Sequence, residues 1–425
     1  MNKSPSIKRI GVFGPWGVGN LGCAATLESM IQNINRYIPG SDIVGFSLIP
    51  QDTQKRHGIP TYPIDRYEWD EHPSIIMAIT WKFADWLESR PTHLLKKMGR
   101  WAHKIPTEFM ILYKTFCRLK RLDLLIVVGG GQLLDFWGGP WTHPYWLAKF
   151  AILSKLAGTE FMFVSVGAGP LRNKLSRFFC KIALSLADYR SYRDLSSKRF
   201  IEKVVRFKKN DPVYPDLAYS LNIEQYDQRV LKHRSVVGIG VIAYSDPRYW
   251  PENDLAVYNT YLNKLSSFVG WVIERHYNVT FFLGEAQPDL LALRDLVDIL
   301  NIAGVRKPTG ELFTAEPIQT ITDLLEQIAN MDLVVASRLH NVLLPILFEK
   351  PVIALSYHPK VDALMAESGQ AKYCLPIDTF DLDTLKQRFI DLERDCESIK
   401  IQFSKQVITN KAALNKQYER IFTNL

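Results

Sequence analysis

The chain has 425 residues, 47% of them hydrophobic, enough to bury two cores of ordinary domain size. Its formal net charge of +8 is uneven: residues 1–230 hold 32 Lys and Arg against 20 Asp and Glu, and the remainder hold 20 against 24. No apolar run approaches the roughly 18–20 residues of a membrane-spanning helix, and no basic run is interleaved with the stacking aromatics of a nucleic-acid module.

In chain order, strand and helix patterns alternate. The opening M-N-K-S-P-S-I-K-R-I-G-V-F-G enters a strand over 7–14 without the apolar core of a signal peptide. A glycine-rich turn, G-P-W-G-V-G-N-L-G at 14–22, leads to a helix over 23–37 and a strand over 42–48. Residues 66–120 read as helical and basic. Within them, 75–104 interleaves Trp, Leu and Ile with Lys and Arg, which fits a peripheral membrane contact or a helix pair with a solvated basic face. A strand over 122–128 runs into Gly129-Gly130-Gly131 and a loop crowded with Phe136, Trp137, Trp141 and His143. A helix over 145–157 and strands over 160–166 and 188–191 follow. The polar stretch 222–234 marks a boundary, giving domains 1–228 and 229–425.

The second half repeats the alternation: a strand from 236, a helix over 254–276, a strand over 279–284 and helices over 288–302 and 317–329. A strand over 332–336, a helix over 340–348 and a strand over 352–356 complete it. This predicts an α/β fold of two Rossmann-like, doubly wound domains facing a cleft. The five cysteines, Cys23, Cys117, Cys180, Cys374 and Cys396, keep neither disulfide nor zinc spacing and are expected as free thiols in a cytoplasmic protein. No metal and no cofactor are expected, nor a nucleic-acid partner.

Gly17, Gly19 and Gly22 satisfy the dinucleotide pattern G-x-G-x-x-G, but the next strand ends without the acidic residue a ribose requires. The turn, with Asn20, therefore reads as close approach of backbone to a ligand, or as packing alone. Gly129-Gly130-Gly131 carry the same two readings. The densest signal is Asp332 to Lys360, where Ser337, Arg338 and His340 stand at a helix entrance and Lys360 follows the next strand. Loops after successive parallel strands open on one edge of the sheet, so these side chains share a mouth suited to a small polyanion that also needs a proton moved.

Seven motifs in order carry a resemblance to the polysaccharide pyruvyltransferase family. They are G-x-x-N-x-G at 17–22, V-V-G-G-G at 127–131, V-S-V-G-A-G-P at 164–170, S-Y-R-D-x-x-S at 191–197, Y-P-D-L-A at 214–218, S-R-L-H at 337–340 and P-V-I-A-L-S-Y-x-x-K at 351–360. The resemblance implies a GT-B-like two-domain fold and transfer of pyruvate from phosphoenolpyruvate onto a sugar diol as a cyclic ketal. It implies a saccharide acceptor, often lipid-linked in such enzymes, and work at the inner face of the membrane. The family's turn continues with two acidic residues, where this chain has Cys23-Ala24, so any acceptor or capping role those acids carry is missing.

A donor bearing phosphate and carboxylate calls for arginine's planar reach. Expected in catalysis are His340, as the proton carrier, and Arg338; expected donor contacts are Arg193, Ser337 and Lys360. Expected acceptor contacts, on the first domain, are Asn20, Gly130, Gly131 and His143. Structural alternatives stand beside these: His340 as a satisfied histidine at a helix start, Arg193 as the internal partner of Asp194 or Asp216, and Asp216 as a turn cap. Trp137 and Trp141 could stack on the sugar or pack within their loop. Two other function classes remain: glycosyl transfer from a nucleotide sugar, with Glu285 on the ribose, and a non-catalytic relative.

Overall fold

The computed structural model describes residues 7–17, 19–65, 108–136, 138–226, 235–250, 253–302 and 320–423. Most of the basic segment over 66–120, all of 75–104, and Trp137 lie outside them. Two compact units divide the chain. The first holds Met1–Val18, Asn33–Asp216 and Tyr418–Leu425, and the second holds Gly19–Gln32 and Leu217–Gln417.

In chain order the elements of the N-terminal half are β1 (Arg9–Phe13), α1 (Leu21–Tyr37), β2 (Asp42–Ser47), α2 (Pro50–His57), β3 (Thr61–Pro63) and α3 (108–119). They continue with β4 (Leu124–Val128), β5 (Gly131–Leu133), α4 (His143–Ala157), β6 (Glu160–Ala168), α5 (Lys174–Leu186), β7 (Tyr189–Tyr192) and α6 (Leu195–Phe200). Among the described residues the first unit carries a seven-stranded sheet in which every pairing is parallel. Strand β4, L-L-I-V-V, is buried at every position, as expected for a strand covered on both faces. Phe13, Phe46, Val127, Phe150, Phe161 and Phe163 fill the core.

The strand order runs β3-β2-β1-β4-β6, with β7 beyond β6, so the chain reverses direction between β1 and β4. Gly129 and Gly130, at φ 27° and 64°, turn β4 into β5, which continues along the same neighbour: the Gly167 amide donates to the Gly130 carbonyl at 2.6 Å. Opposite them β6 is itself irregular. Ser165 sits at φ 50°, its amide donating to Ser191 Oγ at 2.8 Å, and the β6–β7 register shifts there. Left-handed backbone at a buried serine stores strain that the surrounding sheet must hold.

The C-terminal half adds β8 (Val236–Val241), α7 (Leu255–Glu274), β9 (Asn278–Leu283), α8 (Pro288–Ile302), α9 (Ile321–Ala329), β10 (Leu333–Ala336) and α10 (Leu339–Leu347). It ends with β11 (Val352–Ser356), α11 (Pro359–Glu367), β12 (Cys374–Pro376), α12 (Leu382–Arg394) and α13 (Cys396–Phe422). The second unit's five strands run β12-β11-β10-β8-β9, all parallel. Its reversal falls between β8 and β10, and the crevice beyond the carboxyl ends of strands at such a point is where open α/β sheets take ligands. None of the five cysteines, all of them among the described residues, is in a disulfide. No helix among the described residues is long and apolar enough to cross a membrane.

Candidate functional site

At the strand reversal of the second unit, a fully buried carboxylate gathers the loops. Asp289, in the first turn of α8, accepts the amides of Ala243 (3.3 Å), Gly284 (3.2 Å) and Glu285 (2.8 Å). It also takes Arg338 in a bidentate grip, with Nε at 2.6 Å and Nη2 at 2.7 Å. Nη2 reaches Glu285 at 2.8 Å as well, and Tyr249 donates its hydroxyl to the other Glu285 oxygen at 3.0 Å. Arg338 Nη1 makes no hydrogen bond among the described residues. The guanidinium is thus locked along one edge and presents the other.

Burial alone would lower the Arg338 pKa, but Asp289 and Glu285 outweigh it and raise it. Glu285 moves the other way from an ordinary carboxyl: burial raises its pKa, Arg338 opposes, and the nearby Asp289 charge adds to the rise. It therefore holds a proton to higher pH than an exposed glutamate does.

His340 stands in the first turn of α10, whose cap is Arg338. The start of α1 packs against it: a Cβ built on Gly22 would lie 2.1 Å from His340 Nδ1. Asn20 is the reason α1 begins there. Its Oδ1 accepts the Cys23 amide at 3.0 Å, and the Leu21 amide donates to the Gly284 carbonyl at 3.0 Å. The cap uses the backbone of residue 23, so it does not depend on the side chain at that position. Two helix N-termini, those of α1 and α10, thus meet at His340, and both favour negative charge.

The other expected residues of this unit fall differently. Ser337 is fully buried beside the Tyr261 hydroxyl, so its side chain does not face solvent. Lys360 is partly buried in the first turn of α11, where its amide donates to His358 Nδ1 at 3.2 Å. Glu285 and Asp289 complete the arrangement. Sequence singled out Glu285 only as a possible ribose contact, and an aspartate in the first turn of a helix is too common to mark Asp289.

The first unit gathers Gly130, Gly131 and Arg193. Arg193 Nη1 lies 3.2 Å from Asp216 and Nε 3.5 Å from Asp194, and its guanidinium fills the space a side chain at Gly167 would need. A Cβ on Gly130 would meet nothing within 4 Å, so that glycine answers to its backbone angle and leaves open space above it. His143 lies in the first turn of α4, only 6% exposed, with Nε2 at 2.9 Å from Gln132 Oε1. Burial pulls its pKa down to about 4. Trp141 is exposed and meets Tyr145 and Phe179 edge-on or tilted.

The model for polysaccharide pyruvyl transferase matches residues 20–359. The chain belongs to the polysaccharide pyruvyl transferase family. It is accordingly a transferase acting on polysaccharides, with a saccharide acceptor. No curated protein matches the sequence significantly. Among solved structures, a glycosyltransferase from Rickettsia africae ESF-5 is 10% identical with a TM-score of 0.53, over 99% of this chain and 100% of its own. UDP-GlcNAc 2-epimerase from Methanocaldococcus jannaschii is 10% identical with a TM-score of 0.51, over 90% and 92%. The Neisseria meningitidis enzyme of the same name, bound to UDP-GlcNAc, is 11% identical with a TM-score of 0.51, over 93% of each chain. These likenesses establish the two-sheet, GT-B-like fold of the pyruvyl transferase family member described here.

Three outcomes follow from this geometry. Asp289→Ala strands three amides and a buried guanidinium, and should destabilise the second unit by roughly 3–5 kcal/mol, read by hydrogen exchange in β8, β9 and β10. Gly22→Ala drives a methyl into His340 and should destabilise the second unit by roughly 1–3 kcal/mol, read as a lower thermal midpoint; an unchanged midpoint would mean that the ring yields its place without cost. For His143 the folded pKa of about 4 lies below the ordinary 6.5, so the unfolded chain takes up the proton first. Stability is intact above pH 6.5 and is lost as pH falls toward 4. His143→Gln should flatten that slope in denaturant titrations across the window.

Proposed function

We propose that the protein transfers pyruvate from phosphoenolpyruvate onto two hydroxyls of a saccharide, releasing phosphate and leaving a cyclic ketal. The observation that carries the reading is Arg338, fixed by Asp289 at the strand reversal with Nη1 unspent and His340 two residues on. The free guanidinium edge, Lys360 and two helix N-termini supply the positive field that a phosphate and a carboxylate require. With Glu285 protonated, the Arg338–Asp289–Glu285 group is neutral and accepts an anion. With Glu285 ionised it carries a net negative charge and repels one.

The chemistry balances without a cofactor. His340 protonates the methylene carbon, giving an oxocarbenium-like C2 that one sugar hydroxyl attacks. The second hydroxyl then displaces phosphate. Of the two hydroxyl protons, one ends on the new methyl group and one leaves with phosphate, and an imidazole can both give and take a proton. Ser337, His143 and Asn20 act structurally in this scheme, through burial and capping.

A second reading, nucleotide-sugar transfer, draws on the UDP-GlcNAc bound to the Neisseria meningitidis neighbour. Thermal-shift titration with phosphoenolpyruvate beside a uridine diphosphate control separates the two. Phosphoenolpyruvate at a hundredfold excess over Kd should add about 2.7 kcal/mol to wild-type stability. Arg338→Lys should weaken that binding at least about tenfold, since lysine cannot reproduce the fork. Glu285→Gln, which removes a negative charge, should tighten it. Stabilisation by the nucleotide alone would replace pyruvyl transfer with the second reading.

A further inference from the structure

Beside the Arg338 group stands a set of aromatics that the donor chemistry does not use. Tyr244 follows β8 and Tyr357 follows β11, the strands flanking β10, so the two rings bracket the strand end that delivers Arg338. Trp250 joins them. Its ring centroid lies 5.6 Å from Tyr244 at 70° and 5.7 Å from Tyr357 at 86°, and the two tyrosines are 6.1 Å apart. Tyr249, 6.3 Å from Trp250, connects the wall to Glu285 through its hydroxyl.

Two features set this wall apart from a piece of core. All three rings are only partly buried. The indole N–H of Trp250 and the hydroxyls of Tyr244 and Tyr357 also make no hydrogen bond among the described residues, whereas buried tyrosines and tryptophans ordinarily find a partner. Partly buried rings whose polar atoms are unspent among the described residues are complementary to a pyranose, which offers an apolar C–H face and an edge of hydroxyls. The Glu285 carboxyl, reached through Tyr249, adds a placed polar group beside the aromatics.

We propose that Tyr244, Trp250 and Tyr357 form the stacking subsite for the acceptor saccharide, with its reacting hydroxyls turned toward Glu285. This rests on the donor site assigned above, because the hydroxyls must reach C2 of phosphoenolpyruvate at about 3–3.5 Å to react. It moves acceptor recognition into the second unit, away from Gly130, Gly131 and His143.

The test uses saturation-transfer NMR on the full chain with saturating phosphoenolpyruvate. The probes are the methyl β-glycosides of galactose, glucose and N-acetylmannosamine, with uridine monophosphate as the competing chemistry. Wild type should saturate the ring C–H protons of at least one glycoside. Tyr244→Ala and Trp250→Ala should each bind it roughly tenfold more weakly, the scale of a lost aromatic platform, while stabilisation by phosphoenolpyruvate stays unchanged. The proposal is overturned if no glycoside is saturated, if both variants keep the wild-type signal, or if the uracil protons take the saturation instead. Glycosides that stack on a protein which phosphoenolpyruvate does not stabilise would leave the wall standing and remove the donor reading.

Discussion

One carboxylate organises the second unit. Asp289 is reached by amides that follow β8 and β9 and by the guanidinium that follows β10, so a single side chain ties the ends of three adjacent strands. Hydrogen bonds to a charged acceptor contribute about 1.5–3 kcal/mol each, and every donor here would otherwise be desolvated with no compensation. The desolvation of a fully buried carboxylate is the opposing cost, which five donor contacts offset and one or two would not. Everything assigned to the site hangs from this point: the aim of Arg338, the placement of Glu285, and through Arg338 the start of α10 where His340 stands.

In the proposed donor site, the same group makes Arg338 more than an anion clamp. An isolated arginine would hold phosphate tightly in both substrate and product. Here two carboxylates share its charge, and one of them has its pKa raised by burial. The field felt by a bound anion therefore depends on a single proton. Such an arrangement suits a reaction whose donor arrives as an ester and whose phosphate must depart.

The parallel sheets were readable because β4, β10 and β11 are buried on both faces and so appear as unbroken apolar runs. The edge pieces β3, β5 and β12 have three residues each, too few to show any period. Helix α2 starts at Pro50 and is polar nearly throughout, so its apolar stripe is missing. Helix α13, at 27 residues, alternates Lys, Gln and Asn with its buried positions and gave no strong pattern. In the site, Arg338 and His340 announced themselves by type and neighbours. Asp289 did not, since it lies 49 residues from Arg338 and nothing local ties the two together. Burial hid the difference between His340 and His143: both are histidines in the first turn of a helix, yet one is partly exposed and the other is sealed against Phe13 and Gln132.

Gly22 has a consequence for how this protein tolerates engineering. A glycine inside the first turn of a helix forfeits on the order of 1 kcal/mol of helical stability relative to alanine. Rules that raise thermal stability by filling helical glycines would choose it early. The ring of His340 occupies the space that the added methyl would take. At this position the helix and the imidazole compete for one carbon atom's volume, and a sturdier α1 comes at the expense of the place where that ring sits.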